Sequence, residues 1–430
     1  MKRKLNFRTF FALACCTAAV CGLPGCAPAA PDRTVSCGEP SLRPGLSSAP
    51  QDRTESARPS SAPEQTRGMT LEQKVGQMFF LAFRYSTDGT VLRTYDQTVH
   101  DTIRAIQPGG IVLFGENIRT TPQVRELIRR MKHDCSIPPF LSVDQEGGAV
   151  QRIRRTDLIP ATDIPPMWDV GRTGNIELAR RVGGVIGSEL SVFGFNMDFA
   201  PDCDVFSNPN NKVIGKRSFS SDPRKAAEFS VAVSEGLRGT GIIPVCKHFP
   251  GHGDTETDTH AGYASVDKTL EELHQTELVP FEAQIRAGAE MIMVAHISLP
   301  KINGDETPAS LSPKIIRDLL RKELGFRGVI LTDSLGMGAV SQHYSSGESA
   351  VRAVKAGADM VLMPPDPGAA YRAVLSAVKR GEIPESRIDE SAGRILALKK
   401  QYGLDSPKPL GSESLLGSEE HRRIISQIKS

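Results

Sequence analysis

An excess of either charge is missing from this chain: 52 Lys and Arg stand against 50 Asp and Glu, a formal net charge of +2. With no basic stripe either, nucleic acid is not the expected partner. Aromatic residues are scarce, at 6% with the single Trp168, so no stacking platform for a long polymer is evident. The apolar run from Phe10 to Val20 is too short to cross a bilayer as a mature helix. The eight cysteines contain no Cys-x-x-Cys and no metal-type spacing. Cys135, Cys203 and Cys246 fall at separate strand-associated positions and read as buried or free thiols. No Gly-x-Gly-x-x-Gly follows the first apolar strand, which weighs against a doubly wound open sheet, the second-best fold. No metal and no cofactor is expected.

The N-terminus has the pattern of an export signal. Lys2, Arg3, Lys4 and Arg8 precede the Phe10–Val20 run, and Leu23-Pro24-Gly25-Cys26 follows it. That last stretch resembles a bacterial lipobox, although Pro24 departs from the small or branched residue usual there. Residues 1–25 are therefore read as a lipoprotein signal peptide and Cys26 as the lipidated first residue of the mature chain. An ordinary signal peptide cut nearby is the alternative, and either means export. Acylation would hold the protein to a membrane, at the periplasmic face or cell surface, with each buried methylene contributing about 0.8 kcal/mol. Residues 26–68, rich in Pro, Ser, Ala and Arg without apolar period, read as a disordered tether.

Order is expected from Thr70-Leu71-Glu72-Gln73, a capping-box pattern. Apolar strand-like runs then alternate with amphipathic stretches. The runs are Gly76–Phe83, Gly110–Phe114, Phe140–Val143, Phe195–Phe199, Ile243–His248, Met291–His296, Val329–Thr332 and Met360–Met363. Helices are expected over Pro122–Lys132, Ile176–Phe193, Pro223–Gly239, Leu270–Ala287, Pro313–Glu323 and Ala369–Arg380, with Asp389–Tyr402 covering an end. Eight strands separated by helices is the count of an α/β (β/α)8 TIM-type barrel, here a single catalytic domain over 69–404 followed by an extension, 405–430. A monomer is expected.

Polar residues gather where these runs end, the place where a barrel keeps its chemistry. Asp144-Gln145-Glu146-Gly147-Gly148 follows one run, Asp202-Cys203-Asp204 another and Asp333-Ser334 a third. Densest is Lys247-His248-Phe249-Pro250-Gly251-His252-Gly253-Asp254, closing with Asp258-Thr259-His260. A Lys-His pair at a strand end can grip hydroxyls, and a loop Asp-x-His pair can carry a proton, the carboxylate orienting the imidazole and supporting its cation. Asp333 alone could equally cap the following helix. His248, His252 and His260 invite a zinc reading, but spacings of four and eight residues through a Pro-Gly-Gly loop do not fix a tetrahedral site.

Residues 69 to about 402 resemble the catalytic barrel of glycoside hydrolase family 3, and within it the single-barrel β-N-acetylglucosaminidases. Five motifs carry the resemblance in order. The first is Asp144 to Gly148 with Val150-Gln151-Arg152. Next come Phe199-Ala200-Pro201 with Asp204, then Ile214-Gly215 with Arg217-Ser218-Phe219. The Lys247–Asp254 stretch with Asp258-Thr259-His260 is the fourth, and Gly325-Phe326 through Leu331-Thr332-Asp333-Ser334-Leu335 with Met337 the fifth. The resemblance implies Asp333 as nucleophile, forming a covalent glycosyl-enzyme, with His260 as acid/base and Asp258 orienting it. Asp144, Arg152, Arg217, Lys247 and His248 would bind sugar hydroxyls, and Asp204 would support the pocket. His252 and Asp254 would shape the loop, while His296 stands either against the sugar or behind the residues that touch it. The implied substrate is a terminal non-reducing β-linked N-acetylglucosamine, with peptidoglycan fragments as its source. A β-glucosidase of the same family and a non-catalytic sugar-binding lipoprotein remain alternatives. A neutral imidazole does not repel an anionic acceptor, so phosphate could compete with water for the intermediate.

Overall fold

Each apolar run was expected to stop where polar residues begin, and the computed structural model shows how those stops form one rim. It describes residues 65–154, 157–255, 264–406 and 408–429. The strands are β1 (Phe79–Ala82), β2 (Gly110–Val112), β3 (Phe140–Val143), β4 (Met197–Asp198), β5 (Ile243–Phe249), β6 (Ala264–Ser265), β7 (Met291–Val294), β8 (Ile297–Ser298), β9 (Val329–Ser334) and β10 (Met360–Leu362). Eight of them close a barrel in the order β1-β10-β9-β7-β5-β4-β3-β2, while β6 and β8 pair apart from it. All barrel pairings are parallel, and β1 seals the ring with Phe80 opposite both Leu362 and Gly110. The predicted (β/α)8 barrel is therefore the observed fold.

Parallel strands buried on both faces need apolar sequence: β7 is apolar throughout, β3 departs from it only at Ser142, and β5 is apolar until Lys247 and His248 near its end. Inside the ring Phe80 and Phe199 meet with centroids 5.2 Å apart. Each such fully buried side chain contributes about 1.5–3 kcal/mol. The capping box is formed: Thr70 Oγ accepts from the Gln73 N–H at 3.2 Å and Gln73 Oε1 from the Thr70 N–H at 3.0 Å.

Three expectations needed correction. Gly76 and Gln77 belong to the Leu71–Gln77 helix launched by that cap, and β1 starts only at Phe79. The single helix expected over Leu270–Ala287 is two, Leu270–Gln275 and Leu278–Arg286. Pro280 has no N–H to offer the Thr276 carbonyl, and at the break the buried Glu277 carboxylate accepts from Lys268 Nζ at 2.6 Å. Gln97–Ile106 and Ser346–Ala356 are helices that the reading above did not include. The Glu385–Gln401 helix packs on Leu71–Gln77 at the N-terminal end of the barrel, and Glu419–Lys429 packs on Ile176–Phe193.

Gln65–Gly68, the last residues of the expected tether, form a turn with Thr66 buried. Cys26, the signal stretch and the rest of the tether lie outside the described residues. Among the described residues no helix is long and apolar enough to cross a membrane, and Cys135, Cys203 and Cys246 are free and buried.

Candidate active site

The C-terminal ends of the strands surround a cavity of about 740 Å³. Leu81, Phe199, Met293 and Leu362 floor it, and charged side chains make its wall. Asp333 is carried by the penultimate residue of β9 and projects into this space. The Ser334 N–H donates to its Oδ1 at 2.7 Å. Burial would raise the Asp333 pKa, but His296, His248, that N–H and Lys247 outweigh it and hold it below the usual carboxylate value. Asp333 is thus an ionised carboxylate at neutral pH, the form in which it can attack carbon.

Asp144, Arg152, Arg217, Lys247 and His248 line the same cavity. Lys247, two residues before the end of β5, reaches Asp144 Oδ1 at 2.8 Å and Glu146 Oε1 at 2.5 Å. Arg152 stands 3.7 Å from Asp144 Oδ2. Arg217 forms a two-pronged pair with Glu146, 2.8 Å on each prong, and its Nη2 lies 3.3 Å from His248 Nε2. These charged partners hold the Lys247 and Arg217 pKa values up despite burial, and Glu146 well below the carboxylate range. Glu146 itself is 2% exposed. It is the carboxylate that organises the basic wall, and the sequence reading gave it no role. The signal was there: in extended chain, residues two apart point the same way, so the partner of Asp144 on that side is Glu146.

Asp204 supports rather than lines the pocket. Its carboxylate accepts from His248 Nδ1 at 2.7 Å and from the His252 N–H at 2.6 Å. Burial drives the His248 pKa down to about 4, so the ring is neutral, with Nδ1–H toward Asp204 and Nε2 toward Arg217. His252 lines the cavity and also braces its loop through Thr255, 2.8 Å from Nδ1. Asp254 stands 3.6 Å from Lys268 and is not among the cavity residues. His296 is fully buried, bound to Ser310 Oγ at 2.6 Å and the Ser334 carbonyl at 2.8 Å, behind Asp333. The two loop glycines are dictated by contact: a Cβ on Gly251 would lie 2.5 Å from Glu277 Cβ, and one on Gly253 would lie 1.6 Å from the Val205 carbonyl oxygen. Asp258 and His260 lie outside the described residues. The residues flanking them are Thr255, bonded to His252, and Ala264, paired with Ile297 just beyond β7.

Asp202, Asp204 and His248 bring three potential ligand atoms within 4.8 Å of one another. Arg217 Nε already faces Asp202 at 3.4 Å and His248 is tied to Asp204, so a guanidinium supplies the positive charge that a metal ion would bring.

Two further buried carboxyls stand under the wall. Burial pushes Asp198 and Asp202 to about 8. A folded-state pKa above the unfolded value of 3.8 means that the native state holds the proton across that interval. The contribution of these two groups to stability therefore falls as pH rises from about 4 and is lowest above about 8. Thermal unfolding of the parent is expected at a lower temperature above pH 8 than near neutrality, and Asp198→Asn is expected to reduce this fall.

Residues 70–398 match the family pattern described as "Glycosyl hydrolase family 3 N terminal domain". The chain belongs to glycosyl hydrolase family 3. As a family 3 member it is a glycoside hydrolase, acting on O-glycosyl bonds. It is 32% identical over 398 residues to a β-hexosaminidase A of Pseudoalteromonas piscicida, covering 84% of this chain and 66% of that protein. It is 36% identical over 330 residues to a β-hexosaminidase of Stenotrophomonas maltophilia (strain K279a), covering 76% of this chain and 91% of that one. Among solved structures, a family 3 β-N-acetylglucosaminidase from Paenibacillus sp. str. FPU-7 superposes with a TM-score of 0.78 at 36% identity, over 84% of this chain and 68% of the other. The chain thus spans just under two thirds of the first of these relatives.

Proposed function

We propose that this family 3 hydrolase is a retaining exo-β-N-acetylglucosaminidase. The observation that carries the proposal is the ionised carboxylate of Asp333 in one cavity with Asp144, Arg152, Arg217, Lys247 and His248. A carboxylate that accepts and cations that donate suit a ring of adjacent hydroxyls. With the sugar so held, Asp333 attacks the anomeric carbon while the imidazolium of His260 gives its proton to the departing oxygen. Asp258 orients that ring. The now neutral imidazole then takes a proton from water, which displaces Asp333 and restores the carboxylate. The names of the β-hexosaminidase and β-N-acetylglucosaminidase relatives support the N-acetyl sugar over glucose.

The natural substrate in this reading is a peptidoglycan fragment ending in β-linked N-acetylglucosamine, and the enzyme is an exported monomer anchored through a lipid on Cys26. Aryl β-glycosides differing only at the sugar's second carbon test the specificity: the N-acetylglucosaminide is expected to turn over fastest, and a faster glucoside would contradict the proposal. Replacing His260→Ala is expected to lower turnover about 10²–10⁴-fold for a poor leaving group, and much less for an activated aryl group that needs no proton. Equal losses on both would remove His260 as the acid. Release of a sugar 1-phosphate in phosphate buffer would show phosphate taking the place of water.

A further inference from the structure

The opposite end of the barrel holds a second cavity, of about 640 Å³. Seven cationic side chains line it: Arg317, Arg321, Lys322, Arg327, Lys355, Arg387 and Arg394. The carboxylates that meet them are four. Asp359, fully buried, is shared by Arg321, Arg387 and Arg394, and Asp318 by Arg317 and Lys322. Glu382 pairs with Lys355, and Glu390 stands 3.7 Å from Arg394. An excess of three positive charges is thus concentrated in one hollow of a chain whose whole formal charge is +2.

Six of the seven cations fall into two sets, Arg394 being held between Asp359 and Glu390. Arg321 and Arg387 are structural, donating to the carbonyls of Phe326, Gly328, Gly357 and Ala358 as well as to Asp359. Arg317, Lys322, Arg327 and Lys355 are exposed around them and can turn toward an incoming group. Burial, with the repulsion of Arg394, Arg387 and Arg327, outweighs Asp359 and brings the Arg321 pKa down to about 10. An added anion would relieve that crowding.

We propose that this hollow binds phosphate oxyanions, and that its occupant is the phosphate headgroup layer of an anionic membrane. Position favours that occupant. Arg327 and Gly357 lie just before β9 and β10, so the hollow is at the N-terminal end of the strands. The chain runs into the barrel at the same end, where Lys74 of the Leu71–Gln77 helix pairs with Asp389 of the Glu385–Gln401 helix at 2.7 Å. Arg387, Glu390 and Arg394 of that same helix line the hollow. A barrel seated on lipid by this end points its sugar cavity away from the membrane, toward the cell-wall side. The choice of lipid as occupant rests on the reading of Cys26 as an anchor; the phosphate chemistry does not.

The test uses the full chain carrying Cys26→Ser, so that no acyl group contributes, with and without Lys322→Glu and Arg327→Glu together. Unchanged turnover of a chromogenic substrate checks that the pair folds. Binding is measured by co-sedimentation with vesicles of phosphatidylcholine alone and of phosphatidylcholine with phosphatidylglycerol, and by calorimetry with inorganic pyrophosphate. The parent is expected to prefer the anionic vesicles, more so at low salt, and the double variant to bind them at least about tenfold more weakly. Pyrophosphate binding with no preference for anionic vesicles would overturn the membrane as the source. Equal vesicle binding by parent and variant, with no pyrophosphate binding, would overturn the site altogether. Fatty-acid labelling of the Cys26 chain reports on the anchor separately, so its failure is distinguishable from that of the hollow.

Discussion

Asp333→Asn is expected to lower kcat by about 10⁴-fold or more while leaving KM for a chromogenic β-N-acetylglucosaminide nearly unchanged. The amide has the same shape as the carboxylate, and the Ser334 N–H that meets Oδ1 at 2.7 Å can still donate to it. The wall of Asp144, Arg152 and Lys247, proposed to bind the hydroxyls, does not depend on it. What disappears is the negative charge that, in the proposed mechanism, bonds to the anomeric carbon, an interaction made only as the bond breaks. Steady-state kinetics of parent and variant, with circular dichroism to show an intact fold, measure the split. A large rise in KM with kcat preserved would make Asp333 a sugar-binding residue instead.

The second large effect falls on a residue that never meets the bond being cut. Glu146→Gln removes the negative charge facing both Arg217 and Lys247, each of which is held at 2.8 Å or less. Breaking a buried ion pair from one side leaves uncompensated charge and costs about 3–5 kcal/mol. For a barrel of this size that is a fall in the unfolding midpoint on the order of 4–7 °C. Freed from Glu146, Lys247 and Arg217 move toward Asp144 and Asp202, so KM is expected to rise as well. Scanning calorimetry and kinetics on one preparation check both. A variant as stable as the parent would mean that Asp144, with Asp202 giving up its proton, neutralises the two cations.

Much of this was legible because the barrel repeats one rule: apolar strand, then polar rim. That rule placed Asp144, Lys247, His248 and Asp333 in one cavity before any coordinates. It failed where local periodicity and packing compete. Gly76 and Gln77 open a run that reads as an apolar strand, yet a capping box six residues before Gly76 commits them to a helix. Gln97–Ile106 was overlooked although Asp96 caps it and Val99, Ile103 and Ile106 share a buried face. The double role of Glu146 is a tertiary fact: strands three and five, 103 residues apart at Asp144 and Lys247, have to be neighbours of the same pocket before one carboxylate can serve two cations. The raised pKa values of Asp198 and Asp202 come from full burial, which composition does not reveal.

The claim on which the enzymology rests is that a sugar becomes bonded to residue 333. A fluorinated N-acetylglucosaminyl fluoride, which forms the intermediate quickly and releases it slowly, allows it to be weighed. After a brief incubation, quench and peptic digestion, mass spectrometry is expected to find one sugar on the peptide containing Asp333, and none in the Asp333→Asn chain. A sugar on another carboxylate, or turnover with no labelled peptide and an inverted first-formed product, would contradict the account.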